Sequence, residues 1–204
     1  MVTDVTSSAD ATAPVTVDHV DREQQLVELV DRAGRPLGTC QVREAHTAPG
    51  RLHRAFSVLL YDPAGRVLLQ QRAAVKTRFA LRWSNTCCGH PAPGQDVAAA
   101  ATTRLAEELG IIAAQITPLT EAGVLRYRAD DAATKRVEYE WDHVFVATLT
   151  AGVPAADQSE VREVRWASPG PLAAEIAARP ADFTPWLAGV LDLAGQVSRE
   201  ETRR

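Results

Sequence analysis

The 204-residue chain is 46% hydrophobic and 24% charged with a net charge of -4, the balance of a globular domain long enough to bury a core without staples. No apolar run approaches the roughly 18 residues of a membrane-spanning helix, and an acidic chain without a basic stripe is a poor general nucleic-acid binder. Any phosphate recognition must therefore be local.

Residues 1–22 are rich in Ser, Thr, Ala and Asp and lack a basic start and an apolar core segment, so they read as a flexible tail and not as a secretory signal. Cys40, Cys87 and Cys88 are odd in number and lack C-x-x-C spacing, which points to free thiols in a reducing, cytoplasmic setting. From 26 to 31 and near 38 to 43 two extended stretches flank the Gly/Pro turn "RAGRPLG" and predict a hairpin. After the loop "HTAPGRLH", the segment "RAFSVLLYDPAGRVLLQQR" predicts a second hairpin around Asp-Pro-Ala-Gly. Asp96 at the start, helix formers through the middle and Gly110 at the end predict one helix over 96–110. Strands are expected over 123–129, 136–149 and 163–168, and helices over 171–180 and 184–204. No internal repeat or second composition regime appears. The expectation is a single domain over 23–198, with a short charged C-terminal end at 199–204.

The stretch "SNTCCGHP" sets two cysteines side by side. If residues 84–90 are extended, Cys88 and His90 project from one face and Cys87 from the other, so only one thiol can face a given site; Cys87 reads as a small buried hydrophobe. Away from the tail and the apolar strands, the remaining histidines are His46, His53 and His90. His46 and His53 flank a Pro-Gly loop that can bring both imidazoles together, and "VEYEWD" puts Glu138 and Glu140 on one strand face. Imidazoles with carboxylates suit manganese or zinc better than magnesium, which prefers oxygen alone. Taken singly, each of these residues also reads as an ordinary surface or core residue, and spacing alone does not make a metal site.

The span from Gly89 to Ile111 has the length and ending of a Nudix box, G-x5-E-x7-R-E-U-x-E-E-x-G-U, with Leu105, Glu107, Glu108, Gly110 and Ile111 in place. Gln95 stands for the first Glu and Thr103-Arg104 for Arg-Glu. Those glutamates hold the magnesium that drives diphosphate hydrolysis in Nudix enzymes, so their partial loss argues against hydrolysis.

Together, "EAHTAPGRLHRAFS", "RWSNTCCGHP", the altered box, "LRYRA" and "VEYEWDHVF" resemble the type 1 isopentenyl-diphosphate isomerases, in order, over roughly residues 26–190. The resemblance implies an α/β (α+β) fold, a Nudix-type mixed sheet between helices, converting isopentenyl to dimethylallyl diphosphate through a tertiary carbocation in isoprenoid biosynthesis. It implies Cys88 and Glu140 as catalytic partners, assisted by Tyr127 and by Trp186, whose π face can stabilise the cation. The metal set carried over is His46, His53, His90, Glu138 and Glu140 for a resident manganese or zinc ion. Magnesium arriving with the diphosphate would use Glu108 and the backbone carbonyl of Cys88. Arg72, Lys76 and Arg104 fall where the family has basic residues over the phosphates. The family often has a further basic residue four places before the first histidine; here that place is Val42, with Arg43 beside it. The implied partner is a small isoprenoid diphosphate, with no nucleic acid or membrane, and the protein is expected to be a monomer or weak dimer. A Nudix diphosphate hydrolase and a silent metal-binding Nudix domain are the competing readings.

Overall fold

Nine strands and four α-helices form within residues 22–201, the part of the chain that this computed structural model describes. Residues 1–21 and 202–204, most of the expected tail and half of the charged end, lie outside it. Arg22, grouped with the tail by sequence, opens a 3-10 turn over Arg22–Gln24 and pairs with Glu107 and Glu160.

The first hairpin forms as expected, with β1 (Leu26–Val30) antiparallel to β2 (Pro36–Gln41). The chain then turns through α1 (Val42–Ala45), where the sequence predicts an extended continuation to residue 43. The second hairpin is a different object from the one the turn residues suggest. β3 (His53–Tyr61) and β4 (Val67–Arg72) meet only at Tyr61 and Val67 and then splay apart. One edge of β3 runs parallel along its whole length with β8 (Arg136–Thr148). Its other edge is shared by β1 at His53, β6 (Cys87–Gly89) at Phe56 to Val58, and β4 at Tyr61.

The segment 84–90 is accordingly two short pieces and not one strand. β5 (Trp83–Ser84) pairs with β4, after which the chain crosses to β3 as β6. Thr86 sits at the crossing. Its hydroxyl accepts from Leu60 N–H and donates to the Leu68 carbonyl, so one side chain satisfies backbone groups that the splayed strands leave unpaired. Gly89 is required next, because a Cβ there would lie 2.9 Å from the Phe56 ring.

α2 (Val97–Leu109) begins at Asp96, whose carboxylate accepts from Ala99 N–H at 2.8 Å, and ends at Gly110 with φ 63°, a conformation that favours glycine. β7 (Thr120–Asp131) pairs with β8, and β9 (Val161–Ala167) with β4. α3 (Pro169–Ala178) and α4 (Leu187–Glu201) close the chain. α4 starts later than the expected 184, leaving Trp186 just outside it with its carbonyl accepting from Val190 N–H.

Strand alternation divides the core between the two sheet faces. Phe56, Val58, Leu60 and Leu68 pack with Leu105 and Leu109 of α2. Leu59, Leu69 and Val144 pack on the other face with Leu172, Leu187 and Val190 of α3 and α4. The sheet is mixed and lies between helices, as expected.

Candidate active site

Register brings the polar residues together. In the parallel β3–β8 pair His53 lies opposite Glu140, and in the antiparallel β7–β8 pair Tyr127 lies opposite Glu140 from the other side. Across β3 and β6, Ser57 lies opposite Cys88. The 46–53 loop folds back onto the start of β8, where the His46 carbonyl accepts from Val137 N–H, one residue before Glu138. Ring centroids of His46, His53 and His90 are then 4.6 to 5.1 Å apart.

Among the described residues, the ligand atoms of His46, His53, His90, Glu138 and Glu140 all lie within 4.8 Å of one another. His46 Nδ1 meets the Val42 carbonyl at 2.7 Å and His53 Nδ1 the Arg51 carbonyl at 2.8 Å. A carbonyl only accepts, so each Nδ1 carries a hydrogen and each ring turns its Nε2 toward a carboxylate, Glu138 for His46 and Glu140 for His53. His46 Nε2 is 2.7 Å from Glu138 Oε2, and both atoms are buried without a hydrogen-bond partner. A buried imidazole nitrogen and carboxylate oxygen at that distance need either a shared proton or a metal ion to satisfy them. Burial lowers His90 to about 4, so its ring is neutral at physiological pH. Burial opposes the charged form of Glu140, but the His53 and His90 imidazoles beside it outweigh that and hold the carboxyl well below its usual range. The cluster can hold a metal ion.

Cys88 lines a cavity of about 560 Å³ together with Tyr127, Glu140, Trp186 and the basic residues. Cys87 is fully buried on the α2 face, so the two thiols do face opposite ways. Tyr127 OH donates to Glu140 Oε2 at 2.6 Å, and burial first, then the neighbouring carboxylates, pushes its own pKa well up. The Trp186 ring stacks on Tyr127 at 5.5 Å and meets Phe79 edge-on at 5.2 Å.

Burial pushes the Cys88 thiol up to about 12; Arg72 and Lys76 pull it down, and Glu108 and Glu140 push it further up. The resting group is a protonated thiol. Alkylation of Cys88 by iodoacetamide, followed by peptide mapping, is expected to be slow at neutral pH and to keep accelerating toward pH 12. A rate that levels off near pH 9, as for an ordinary thiol of pKa about 8.5, would contradict this burial.

The cations also border this cavity, but protein acceptors engage each of them. Arg72 donates Nε and Nη2 to the Arg78 carbonyl, which leaves Nη1 3.8 Å from Cys88 Sγ. Lys76 pairs with Glu160, and Arg104 bridges Glu108 at 2.5 Å and Glu160 at 2.9 Å. Glu160 is a site residue that the sequence reading missed. It precedes β9, far from any motif, and despite burial Lys76 and Arg104 lower it to about 2. Arg78, also missed, donates to Glu138 at 3.0 Å and to Glu23 at 2.7 Å. Asp142 was passed over although it continues the Glu138–Glu140 alternation; it accepts from Ser57 Oγ at 2.8 Å. Arg43 turns away to Gln41. Val42 borders the cavity, as does Arg22.

The NUDIX domain family matches residues 51–187. A Nocardia farcinica protein named isopentenyl-diphosphate Delta-isomerase is 63% identical over 178 residues, covering 87% of this chain and 99% of its own. A Streptomyces griseus protein of the same name is 44% identical over 195 residues, covering 94% and 96%. Among solved structures, DR0079 from Deinococcus radiodurans superposes with a TM-score of 0.65 at 16% identity, over 82% of this chain and 98% of that one. The MutT protein from Methanosarcina mazei Go1 gives 0.54 at 18%, over 74% and 95%. These two likenesses speak to the fold alone.

Proposed function

The chain belongs to the isopentenyl-diphosphate Delta-isomerases of the Nudix superfamily and is an isomerase, and we propose that it moves the double bond with Cys88 and Glu140 as its two proton-transfer groups. Adding a proton at C4 of isopentenyl diphosphate leaves a tertiary cation at C3, and removing a proton from C2 gives dimethylallyl diphosphate. An alkene is a feeble base, so the acid must be held firmly against it. The observation that carries this reading is the meeting of Cys88, Glu140 and the Trp186 ring around one cavity. Tyr127 orients Glu140 through its hydroxyl. Trp186 stabilises the cation with its π face and keeps water away.

Manganese or zinc suits the mixed imidazole and carboxylate set of His46, His53, His90, Glu138 and Glu140, and such an ion would hold Glu140 in place and favour its charged form. Arg72, Lys76 and Arg104 hold the diphosphate, Lys76 and Arg104 exchanging contacts now made to Glu160 and Glu108 for phosphate oxygens and Arg72 reaching it from its anchor on the Arg78 carbonyl. Glu108, with the carbonyl of Cys88, would take the magnesium that accompanies the diphosphate. Arg104 stands where a hydrolase would carry another carboxylate, which is why this box favours isomerisation over diphosphate cleavage. No described helix is long and apolar enough to cross a membrane; the free thiols fit a reducing cytoplasm, and the substrate is a small isoprenoid diphosphate.

Incubation with isopentenyl diphosphate and magnesium should yield dimethylallyl diphosphate and no free phosphate. Metal-loaded protein that forms none, or that releases phosphate instead, would overturn this reading. Glu108→Gln is expected to raise the half-saturating magnesium and substrate concentrations by about tenfold or more and to slow turnover, since a carboxylate ligand becomes a neutral amide. Elemental analysis should find the His/Glu ion unchanged, because Glu108 bonds Gln70 and Arg104 and none of the five ligands. Loss of that ion in Glu108→Gln would refute the separation of the two sites.

A further inference from the structure

Asn85 lies three residues before Cys88 and has no part in the functional reading so far, yet it is fully buried and both ends of its amide are engaged. Nδ2 donates to the Cys87 carbonyl at 2.6 Å, with a longer contact of 3.5 Å to the Val58 carbonyl. Oδ1 accepts from Trp186 Nε1 at 3.1 Å and from Ser84 Oγ at 2.9 Å. The amide orientation is forced, because a carbonyl can only accept and an indole N–H can only donate. Substitutes of this size fall short: ionised Asp has no donor for the carbonyls, and Leu has neither function. The neighbouring contacts join the same two segments. Thr184 N–H donates to the Trp83 carbonyl at 2.8 Å and its hydroxyl to Ser84 Oγ at 3.1 Å.

One side chain therefore ties the backbone immediately before Cys88 to the indole across the cavity. We propose that Asn85 is a positioning residue for the isomerisation, fixing the Trp186 ring relative to the Cys88 strand so that the thiol and the π face address the same carbon skeleton. The proposal rests on the roles of Cys88 and Trp186 given under the proposed function. A misplacement of about 1 Å in such a pair can cost about a hundredfold in rate, whereas the diphosphate contacts lie on Arg72, Lys76 and Arg104, none of which is among the hydrogen-bond partners of Asn85. Asn85 should therefore act on turnover and spare substrate affinity.

The test is a double-mutant cycle on the metal-loaded protein, with Asn85→Ala, Trp186→Phe, which removes the N–H and keeps a ring, and the pair combined. Thermal melts and metal content establish that each variant is folded. Asn85→Ala should lower kcat by about tenfold or more with KM changed by less than about threefold, and its cost should shrink by about fivefold in the Trp186→Phe background, the net worth of one hydrogen bond. Asn85→Asp, which keeps the acceptor for the indole, should retain more kcat than Asn85→Ala. Unchanged kcat in folded Asn85→Ala, or independent effects in the cycle, overturns the proposal. If Asn85→Ala does not fold, Asn85→Ser takes its place in the cycle: a loss of kcat at constant KM that shrinks in the Trp186→Phe background supports the bond, and unchanged kcat or independent effects overturn it. Cys88→Ala is the control. If it remains active, the underlying reading fails; if it is dead while the Asn85 variants keep their kcat, only the positioning role fails.

Discussion

Cys88→Ala is expected to lower turnover of isopentenyl diphosphate by about a thousandfold or more, whereas Cys87→Ala stays within about threefold of the parent. The two residues are neighbours of the same type, and their difference comes from the strand that carries them. β6 turns successive side chains to opposite faces. Cys87 lies among Val58, Leu105 and Leu109 beneath α2, and burial raises its thiol well above the ordinary value. Removing its sulfur leaves a small void at a stability cost of about 1 kcal/mol, and the substrate cavity on the opposite face keeps its lining. Cys88 borders that cavity, and alanine there removes the proton-carrying group that β6 presents beside His90. Steady-state assays at matched metal content, with melts for both variants, give the answer. Equal losses in two folded variants would remove the distinction.

Stripping divalent metal with a chelator is expected to abolish activity and to lower the melting temperature by about 10 °C, with re-addition of manganese or zinc restoring both. The five groups come from the loop around residues 46–53, the residue after β6 and the start of β8, segments far apart in the chain that an ion would hold together. An ion present at about a thousand times its dissociation constant contributes about 4 kcal/mol, and for a chain of this length each kcal/mol moves the midpoint by about 2–4 °C. Without an ion, His46 Nε2, His53 Nε2 and Glu138 Oε2 are buried with no hydrogen-bond partner, at a cost of about 1–3 kcal/mol each. Active protein shown by elemental analysis to be metal-free would refute the site.

Several of these features are legible without coordinates because they depend on neighbours along the chain. Asp96 and Gly110 bound α2 through local capping chemistry. Alternation alone separates Cys87 from Cys88 and puts Glu138 beside Glu140, since a strand's two-residue period does not depend on what it pairs with. The likeness of the Cys-Gly-His-Pro stretch and the altered Nudix box to a known family supplied the rest of the site.

Pairing between distant segments is another matter. The turn at Asp62 to Arg66 promises a hairpin, and the turn does form, with Asp62 N–H donating to the Arg66 carbonyl. The strands beyond it open because β6 fills the gap and β8 takes the free edge of β3. That choice is made by apolar burial summed over both sheet faces, which no window of the chain contains. Glu160, Arg78 and Asn85 escaped notice for the same reason. Each is an unremarkable polar residue until folding removes it from water, after which it must find partners from other elements. Chain-local chemistry thus settled the helix ends and the alternation, the family likeness supplied the candidate ligands, and tertiary packing decided the registers that set His53 and Tyr127 against Glu140 and bound the cations to Glu108 and Glu160.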